Sequence, residues 1–367
     1  MFPAQYYYPV YIHIALFMVV LSWMWLYNSD STRIITEKRD ELNGWIVAIL
    51  FTVIVGLRPI SWQYFGDTGN YAIGYYALQA NIGNSILLTT DGDWLFYLLM
   101  SACSHVMDVE WFFLIVEVFY IIPIVIACKR WFPNNLTLAL LFCFTAFSFF
   151  TYGVNGIRNG MACSLVILAL SYINGENRDK VIAAVLTLAA ISIHKSVVLP
   201  ALMMFISLYY RNTRVIIGVW IFSIFISLTV GGFIESIFAG LGFDDRLAGY
   251  ITNEDSNEQF SNTGFRFDFL LYSMMPIVLG YYTVIKRELQ DENYLLLLHT
   301  YILSNAFWVM LIRASFSNRF AYLSWFLYPL VLAYPLLKLH VWEETQGRKC
   351  AYILFGHVAF TYLMWLI

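Results

Sequence analysis

Charged residues are scarce in this chain. Asp, Glu, Lys and Arg make up 12% of its 367 residues, whereas 60% of the residues are hydrophobic. Soluble domains carry about twice that charged fraction, so the composition excludes an ordinary soluble enzyme. The net charge of −3 lacks the positive excess that is typical of nucleic-acid-binding proteins, and we expect no nucleic-acid partner.

Cysteine is also rare, and no pair has the CxxC spacing. The five cysteines lie in or beside apolar runs, at Cys103, Cys128, Cys143, Cys163 and Cys350. We interpret them as small packing residues rather than disulfides or metal ligands. The sequence also lacks a His, Cys, Asp and Glu cluster with metal-ligand spacing and a glycine-rich phosphate loop. It therefore predicts neither a metal site nor a cofactor.

Long apolar runs are abundant instead, and they recur from one end of the chain to the other. A helix that crosses a bilayer needs about 20 such residues. The runs are continuous rather than alternating, which disfavours a transmembrane barrel. The first 27 residues lack a basic leader and a small-residue cleavage site, so we expect a retained first span. The sequence predicts an all-α, polytopic transmembrane helical bundle of about 12–13 membrane segments, forming one integral membrane domain over residues 1–367.

Short basic loops predict the orientation of this bundle. Segments such as "TRIITEKR", "CKR", "NRDK" and "RNTR" indicate the cytoplasmic side, because Lys and Arg are concentrated in cytoplasmic loops. Upstream of residue 129 the basic loops do not fit a regular alternation between the two sides of the membrane. Both "TRIITEKR" and "CKR" look cytoplasmic, yet three apolar runs, an odd number, lie between them. We therefore predict that the short run 94–107 dips into the membrane or lies at its interface. Residues 58–92 and 239–266 are then the two long external loops.

The segment "VGLRPISWQYFGDTGNYAIGYY" contains the first candidate site residues. Arg58 ends a span before a proline, and Asp67 is placed to cap a new helix. Asp67, Tyr71 and Tyr75 follow at four-residue spacing and so share one helix face. A carboxylate above two tyrosines suits a sugar, whereas an interfacial helix with an aromatic belt is the alternative for the tyrosines.

The segment "TYGVNGIRNGMACSLVIL" contains the second set. Asn155 and Arg158 lie where two apolar runs meet, close to the start of a new helix. A guanidinium beside a helix N-terminus favours a phosphate. The alternative is a tight turn whose arginine extends to the membrane surface. We favour the anion site, because an arginine on the non-cytoplasmic face runs against the usual distribution of positive charge.

His194 and Lys195 stand together inside the apolar stretch "LTLAAISIHKSVVLP". Residues 181–210 would form a helix of about 45 Å, too long for one crossing and too short for two. We therefore predict a shortened hairpin that holds His194 and Lys195 below the membrane surface. A histidine satisfied within the core is the alternative, and the adjacent lysine weakens it.

The segment "LIRASFSNRFAYLSWF" contains the last set. Arg313 and Arg319 flank a polar turn that includes Asn318, again on the predicted external face. With the other segments, several arginines, a His-Lys pair and a carboxylate are expected to converge on one face. This combination favours a diphosphate held at the membrane surface beside an acid–base group.

The four motifs occur in a recognisable order. They are Arg58 with Gly-Asp-x-x-x-Tyr (Gly66, Asp67, Tyr71), Asn-Gly-x-Arg-x-Gly-x-Ala (Asn155, Gly156, Arg158, Gly160, Ala162), His-Lys-Ser (His194, Lys195, Ser196) and Asn-Arg (Asn318, Arg319). In this order they resemble the EpsG-like branch of the Wzy-type polysaccharide polymerases, and the resemblance covers most of the chain.

The resemblance implies a bacterial inner-membrane glycosyltransferase with a GT-C-like fold and an active face that is periplasmic or extracellular. Its substrates would be undecaprenyl-diphosphate-linked glycans, joined into capsule, O-antigen or exopolysaccharide. It would act among membrane lipids with a flippase and a chain-length regulator of the same pathway.

The resemblance also implies roles for the candidate residues. His194 would be the catalytic base, and Asp67 would orient the acceptor hydroxyl or the donor sugar. The diphosphate-binding set would comprise Arg158, Arg319, Arg58, Lys195 and Arg313. The sugar-binding set would comprise Tyr71, Tyr75, Asn155 and Asn318.

Three other functions remain open at this point. A related ligase, which transfers finished polysaccharide to another acceptor, would use the same arginine and histidine chemistry. A lipid-linked oligosaccharide flippase or transporter would line a path to both faces and would be expected to contain inverted repeats. A non-catalytic scaffold is the weakest alternative, because inward-facing charges would then cost stability without benefit.

Overall fold

The structure is a computed structural model that describes residues 3–38, 41–80, 93–240, 264–314 and 317–366, with only the backbone described for residues 234–240. The described residues are mostly helical and contain no strand. This confirms the all-α class predicted from the composition. Residues 81–92 and 241–263, which make up much of the two predicted external loops, lie outside the described residues.

The described helices in the first half of the chain range from 4 to 23 residues. In chain order they are α1 (Tyr7–Tyr27), α2 (Ser31–Thr36), α3 (Glu41–Gly56), α4 (Trp62–Phe65), α5 (Thr68–Ala80), α6 (Trp94–Ser104), α7 (Val109–Trp131), α8 (Leu136–Phe144), α9 (Phe149–Val154), α10 (Ile157–Tyr172) and α11 (Asn177–Ile193). A 3₁₀ turn, Lys195–Val197, follows α11.

Those in the second half range from 8 to 28 residues. They are α12 (Val198–Tyr209), α13 (Thr213–Gly240), α14 (Phe267–Tyr281), α15 (Glu292–Met310), α16 (Asn318–Trp325), α17 (Tyr328–Lys338) and α18 (Gln346–Leu366). Helix α13 departs from helical geometry at Val230, where φ is −130° and ψ is 22°.

Six helical segments of the described chain are long and apolar enough to cross a membrane. They are Ala4–Tyr27, Val109–Trp131, Thr213–Phe233, Phe267–Lys286, Asn318–Lys338 and Glu343–Leu366. Four shorter apolar helices accompany them. The chain is thus a multi-pass membrane protein, as expected.

The apolar runs in the sequence do not all correspond to single long helices. The run at 136–152, for example, is divided between α8 and α9, and each of these helices is much shorter than a bilayer core. The run at 94–107 forms only the 11-residue helix α6, about 16 Å long. Its length fits a segment that does not cross, while the predicted dip into the membrane stays a prediction.

Contacts between Cα atoms group the chain into two compact units. The first comprises Met1–Val197 and Ala333–Ile367, and the second comprises Val198–Leu332. The single integral membrane domain over residues 1–367 stays a prediction.

In the first unit, α10 packs between α7 and α11, and α6 packs against both α5 and α11. This arrangement brings the start of α6, the start of α10 and the end of α11 together. These are the parts of the first unit that carry its polar cluster.

In the second unit, α15 packs against α12, α13 and α16. A buried chain of hydrogen bonds fixes this packing. The Trp220 indole donates to Asn305 Oδ1 at 2.8 Å, and Asn305 Nδ2 donates to Ser324 Oγ at 2.9 Å. A buried amide that finds partners on two neighbouring helices fixes their relative register.

Candidate functional site

The helix breaks at His194, within the 181–210 stretch whose length predicts that it is not one continuous helix. Helix α11 ends at Ile193, and His194 adopts an extended conformation with φ −153° and ψ 115°. The imidazole lies in the break between two helices, with 23% of its side chain exposed. An extended residue between helices can direct its side chain away from the packed helix faces. His194 is therefore both held by the fold and accessible.

Arg158 lies in the first turn of α10, which begins at Ile157 as the sequence predicts. The start of this helix is closely packed, because a Cβ at Gly160 would lie 2.8 Å from the Tyr152 carbonyl oxygen. The Arg158 guanidinium is 15% exposed. Its Nε lies 3.3 Å from the Tyr71 hydroxyl.

The central residue of the cluster is Asp93, which the motif analysis missed. Its Oδ2 accepts from Arg158 Nη1 at 2.6 Å and from His194 Nδ1 at 3.0 Å. Its Oδ1 accepts the backbone N–H of Lys195 at 3.0 Å. One carboxylate therefore joins three segments that are far apart in the sequence. We name the group Asp93, Arg158, His194, Tyr71 and Tyr97 the Asp93 cluster.

The environment keeps Asp93 ionised. Burial by itself would raise the pKa of this carboxyl group, but contacts with His194, the Lys195 amide and Arg158 outweigh it and leave the pKa below its usual value. An ionised carboxylate only accepts hydrogen bonds. His194 Nδ1 is therefore the donor in its contact with Asp93.

Two tyrosines complete the cluster around the guanidinium. Arg158 Nη1 lies 3.3 Å from the Tyr97 hydroxyl, and the guanidinium carbon lies within 6 Å of the ring centroids of Tyr71 and Tyr97. These contacts use Nε and Nη1. They leave Arg158 Nη2 and His194 Nε2 without a hydrogen-bond partner among the described residues.

Asp67 and Asn155 are brought together next to the Asp93 cluster, because the Asp67 carbonyl accepts the backbone N–H of Tyr71 at 3.0 Å. The Asp67 backbone N–H donates to Asn155 Oδ1 at 2.8 Å. The Asp67 carboxylate accepts from Asn70 Nδ2 at 2.9 Å. Gly66 has a φ of +50° and lies against the Asn155 amide. In this structure Asn155 therefore fastens the turn before α5 to the start of α10.

Arg58 lies inside the fold, with 1% of its surface exposed. Its guanidinium donates to the carbonyl oxygens of Val55 at 3.0 Å and Val154 at 3.4 Å, and it lies over the Phe113 ring. Tyr75 is likewise buried, and its hydroxyl donates to the Met107 carbonyl at 2.7 Å. In the structure these two predicted site residues are buried, and their side chains donate to backbone carbonyls.

The remaining candidates differ in their surroundings. The Lys195 side chain is exposed in the first unit, beside His194. In the second unit, Arg313 and Arg319 are exposed and Asn318 is partly buried. Arg313 also lines a cavity of about 730 Å³ beside the Val230 kink of α13. The expected convergence of these residues with Arg158 and His194 stays a prediction.

A signal for Asp93 was present in the sequence. It lies directly before the apolar run that forms α6, in the position from which a carboxylate caps a helix. Neither its burial nor its partners follow from local spacing, because Arg158 and His194 lie 65 and 101 residues away.

Comparison with known protein families identifies one match: the model described as the EpsG family matches residues 44–367. The matched range includes every residue of the Asp93 cluster. Comparison with curated proteins and with solved structures gives no match.

Proposed function

Since the chain belongs to the EpsG family and is thereby a membrane protein of the polysaccharide polymerase type, we propose that it elongates glycans carried on undecaprenyl diphosphate at the outer face of a bacterial inner membrane. The observation that carries the proposal is the sharing of Asp93 Oδ2 by Arg158 and His194. Through this shared oxygen, a cation that can bind phosphate and a base lie next to each other in one partly exposed cluster.

The proposed reaction is a glycosyl transfer between two lipid-linked substrates. An acceptor hydroxyl oxygen on a new repeat unit attacks the anomeric carbon of the growing chain. The bond from that carbon to the diphosphate oxygen breaks, and the lipid diphosphate leaves with the bonding electrons. The acceptor's proton passes to His194.

Arg158 binds the departing diphosphate in this proposal. Its unpartnered Nη2 offers hydrogen-bond donors, and its positive charge stabilises the negative charge that develops as the bond breaks. Arg319, Arg313 and Lys195 are proposed as further contacts to lipid-linked diphosphate. The guanidinium groups take the place that a divalent metal holds in other diphosphate-using enzymes.

His194 is proposed as the general base. Because Nδ1 donates to Asp93, the neutral imidazole carries its lone pair on Nε2, the nitrogen without a partner among the described residues. This lone pair is what would accept the proton of the acceptor hydroxyl. Tyr71, Asp67 and Asn318 are proposed to contact sugar hydroxyls, in keeping with their partial exposure.

Elongation by the purified protein tests the function. The protein in lipid nanodiscs is supplied with one lipid-linked repeat unit, and products are separated by gel electrophoresis and mass spectrometry. We expect a ladder of lipid-linked products that differ by one repeat, with release of lipid diphosphate. A parallel reaction with a metal chelator should give the same ladder. Absence of any elongated product from a folded protein would refute the proposal.

The glycans of a deletion strain distinguish the related functions. A missing polymerase leaves single repeats on the cell surface, a missing ligase leaves long chains on their lipid carrier, and a missing flippase traps repeat units on the cytoplasmic side. Only the first result agrees with the proposed function.

A further inference from the structure

Asp93 makes three hydrogen bonds that together determine the geometry of the cluster. It lies at the start of α6, is 5% exposed and holds the side chains of Arg158 and His194 through a single oxygen. Its other oxygen binds the backbone N–H of Lys195. The carboxylate therefore constrains the turn that carries the base as well as the base itself.

We propose that Asp93 is the positioning residue of the reaction, which fixes His194 in the form that carries its proton on Nδ1 and aims Nε2 at the acceptor hydroxyl. This inference rests on the proposed function for its kinetic consequences. The protonation form of His194 can be measured without any substrate, however, so the two can fail separately.

The shape of the turn strengthens this role. His194 is extended and lies between α11 and the 3₁₀ turn Lys195–Val197, so its own helix does not fix the direction of the imidazole. Two hydrogen bonds to Asp93, one from the ring and one from the next backbone amide, supply that direction. The hydrogen bond from the His194 ring alone would leave the backbone of the turn free to change its orientation.

Arg158 couples the same carboxylate to the diphosphate site. Its Nη1 is bound to Asp93 while Nη2 remains available. Asp93 therefore holds the guanidinium at one edge and leaves the opposite edge for an anion. One carboxylate then sets the separation between the cation that receives the leaving group and the base that receives the proton.

The direct test is the protonation form of His194 in protein labelled with ¹⁵N-histidine. Solid-state NMR in lipid bilayers distinguishes Nδ1–H from Nε2–H, and the spectrum of His194→Ala identifies the His194 signals. The parent protein should show Nδ1–H with an unprotonated Nε2. Asp93→Ala should lose this preference. An unchanged His194 spectrum in Asp93→Ala would overturn the proposal, whether or not the protein elongates glycans.

Kinetics give the second test. Asp93→Asn keeps the size of the side chain but removes its charge, and it should lower kcat by about 10²–10⁴-fold. Formate or acetate should restore part of the activity of Asp93→Ala by supplying a carboxylate to the space left by the side chain. Rescue of this kind would not occur if the variant had only lost its fold.

A matched substitution controls for the general effect of replacing an aspartate. Asp30 caps α2 through a hydrogen bond from the Arg33 backbone N–H at 2.7 Å and is exposed in the same unit. Asn and Asp are about equally effective as N-cap residues. Asp30→Asn should therefore leave kcat unchanged. If Asp93→Asn weakens substrate binding alone, with kcat kept, then Asp93 acts only through Arg158 and the proposed control of His194 is wrong.

Discussion

The backbone of Gly153 lies directly against the carboxylate of Glu117. A Cβ at position 153 would be 3.0 Å from both Glu117 side-chain oxygens and 2.9 Å from Val55 Cγ1. Glu117 is fully buried, and neither oxygen has a hydrogen-bond partner among the described residues. The turn that leads to Arg158 is thus packed on a buried carboxylate.

This contact predicts opposite effects for two Gly-to-Ala substitutions. Gly153→Ala should lower the free energy of unfolding by about 1–3 kcal/mol, because a methyl group would overpack the space beside Glu117. Gly218 lies inside α13 with no atom within 4 Å of the added Cβ, and Gly218→Ala should raise stability by about 0.5–1 kcal/mol. Thermal unfolding in detergent measures both. Equal shifts for the two variants would contradict the packing argument.

Arg58 provides a second prediction about stability. Arg58→Ala removes the donors to the carbonyls of Val55 and Val154. The Val154 carbonyl keeps the Thr68 hydroxyl as a partner, whereas the Val55 carbonyl loses its donor from Arg58. Each unpaired buried group costs about 1–3 kcal/mol. The control Arg33→Ala removes an exposed ion pair with Glu37, which is worth about 0–1 kcal/mol.

The measurement for Arg58 is the same thermal unfolding, together with binding of a lipid diphosphate. We expect a large loss of stability for Arg58→Ala and a small one for Arg33→Ala. An Arg58→Ala protein that is as stable as the parent but binds the lipid diphosphate weakly would restore the diphosphate-binding role that the sequence predicts for Arg58.

The helix break at His194 and the helix start beside Arg158 can be predicted from the sequence, whereas the burial of Arg58 cannot. The break at His194 follows from the length of an apolar stretch, and the helix start beside Arg158 follows from the glycines around it. Both are local properties. The burial of Arg58 depends on Val154, which lies 96 residues away. A lone arginine before a proline therefore does not reveal whether it lies at the surface or inside the bundle.

The role of Asp93 could not be predicted from the sequence either, because it too depends on tertiary packing. Its position before an apolar run is visible, but its role depends on partners that only the packing of α6 against α11 and of α11 against α10 brings together. The motifs that carry the family resemblance each contain several polar residues close together. A single carboxylate beside a helix carries no such pattern.

The orientation in the membrane can be tested by cysteine labelling. Ser85 and Ser256 are expected to react from outside, but both lie outside the described residues, and Ser31 is buried. Gln63 and Thr32 are exposed alternatives on the predicted external and cytoplasmic sides. The five native cysteines are all buried, so background labelling should be low.

In intact cells, an impermeant maleimide should label Gln63→Cys and not Thr32→Cys. Permeabilised cells should show labelling of both, which confirms that each position is reactive. The reverse pattern in intact cells would place the Asp93 cluster on the cytoplasmic side and contradict the proposed function with it.

The geometry of Arg158 predicts that a positive charge alone is insufficient at this position. Arg158→Lys keeps the charge but cannot hold Tyr71 and Asp93 while offering a further donor to a phosphate. We expect kcat for elongation to fall by about 10²–10³-fold, and Arg319→Lys to be similarly poor.

Arg211→Lys is the control, because Arg211 makes an exposed contact with Glu292. Normal chain length and rate in both Arg158→Lys and Arg319→Lys would show that neither guanidinium is required.

The last prediction concerns the base. His194→Ala removes the imidazole whose Nε2 is available while Nδ1 is held by Asp93, and loss of a general base lowers a rate by about 10²–10⁴-fold. The variant should still insert into the membrane and bind lipid-linked substrate, because the contacts of Arg158 with Tyr71, Tyr97 and Asp93 do not involve the imidazole. The control is His105→Ala, since His105 is exposed after α6 and its ring hydrogen-bonds with Ser101 and Ser104, close by in the sequence. Elongation and substrate binding are measured on the same purified samples. If His194→Ala elongates lipid-linked repeats within a few-fold of the parent, then His194 is a structural residue and the proton must be accepted elsewhere.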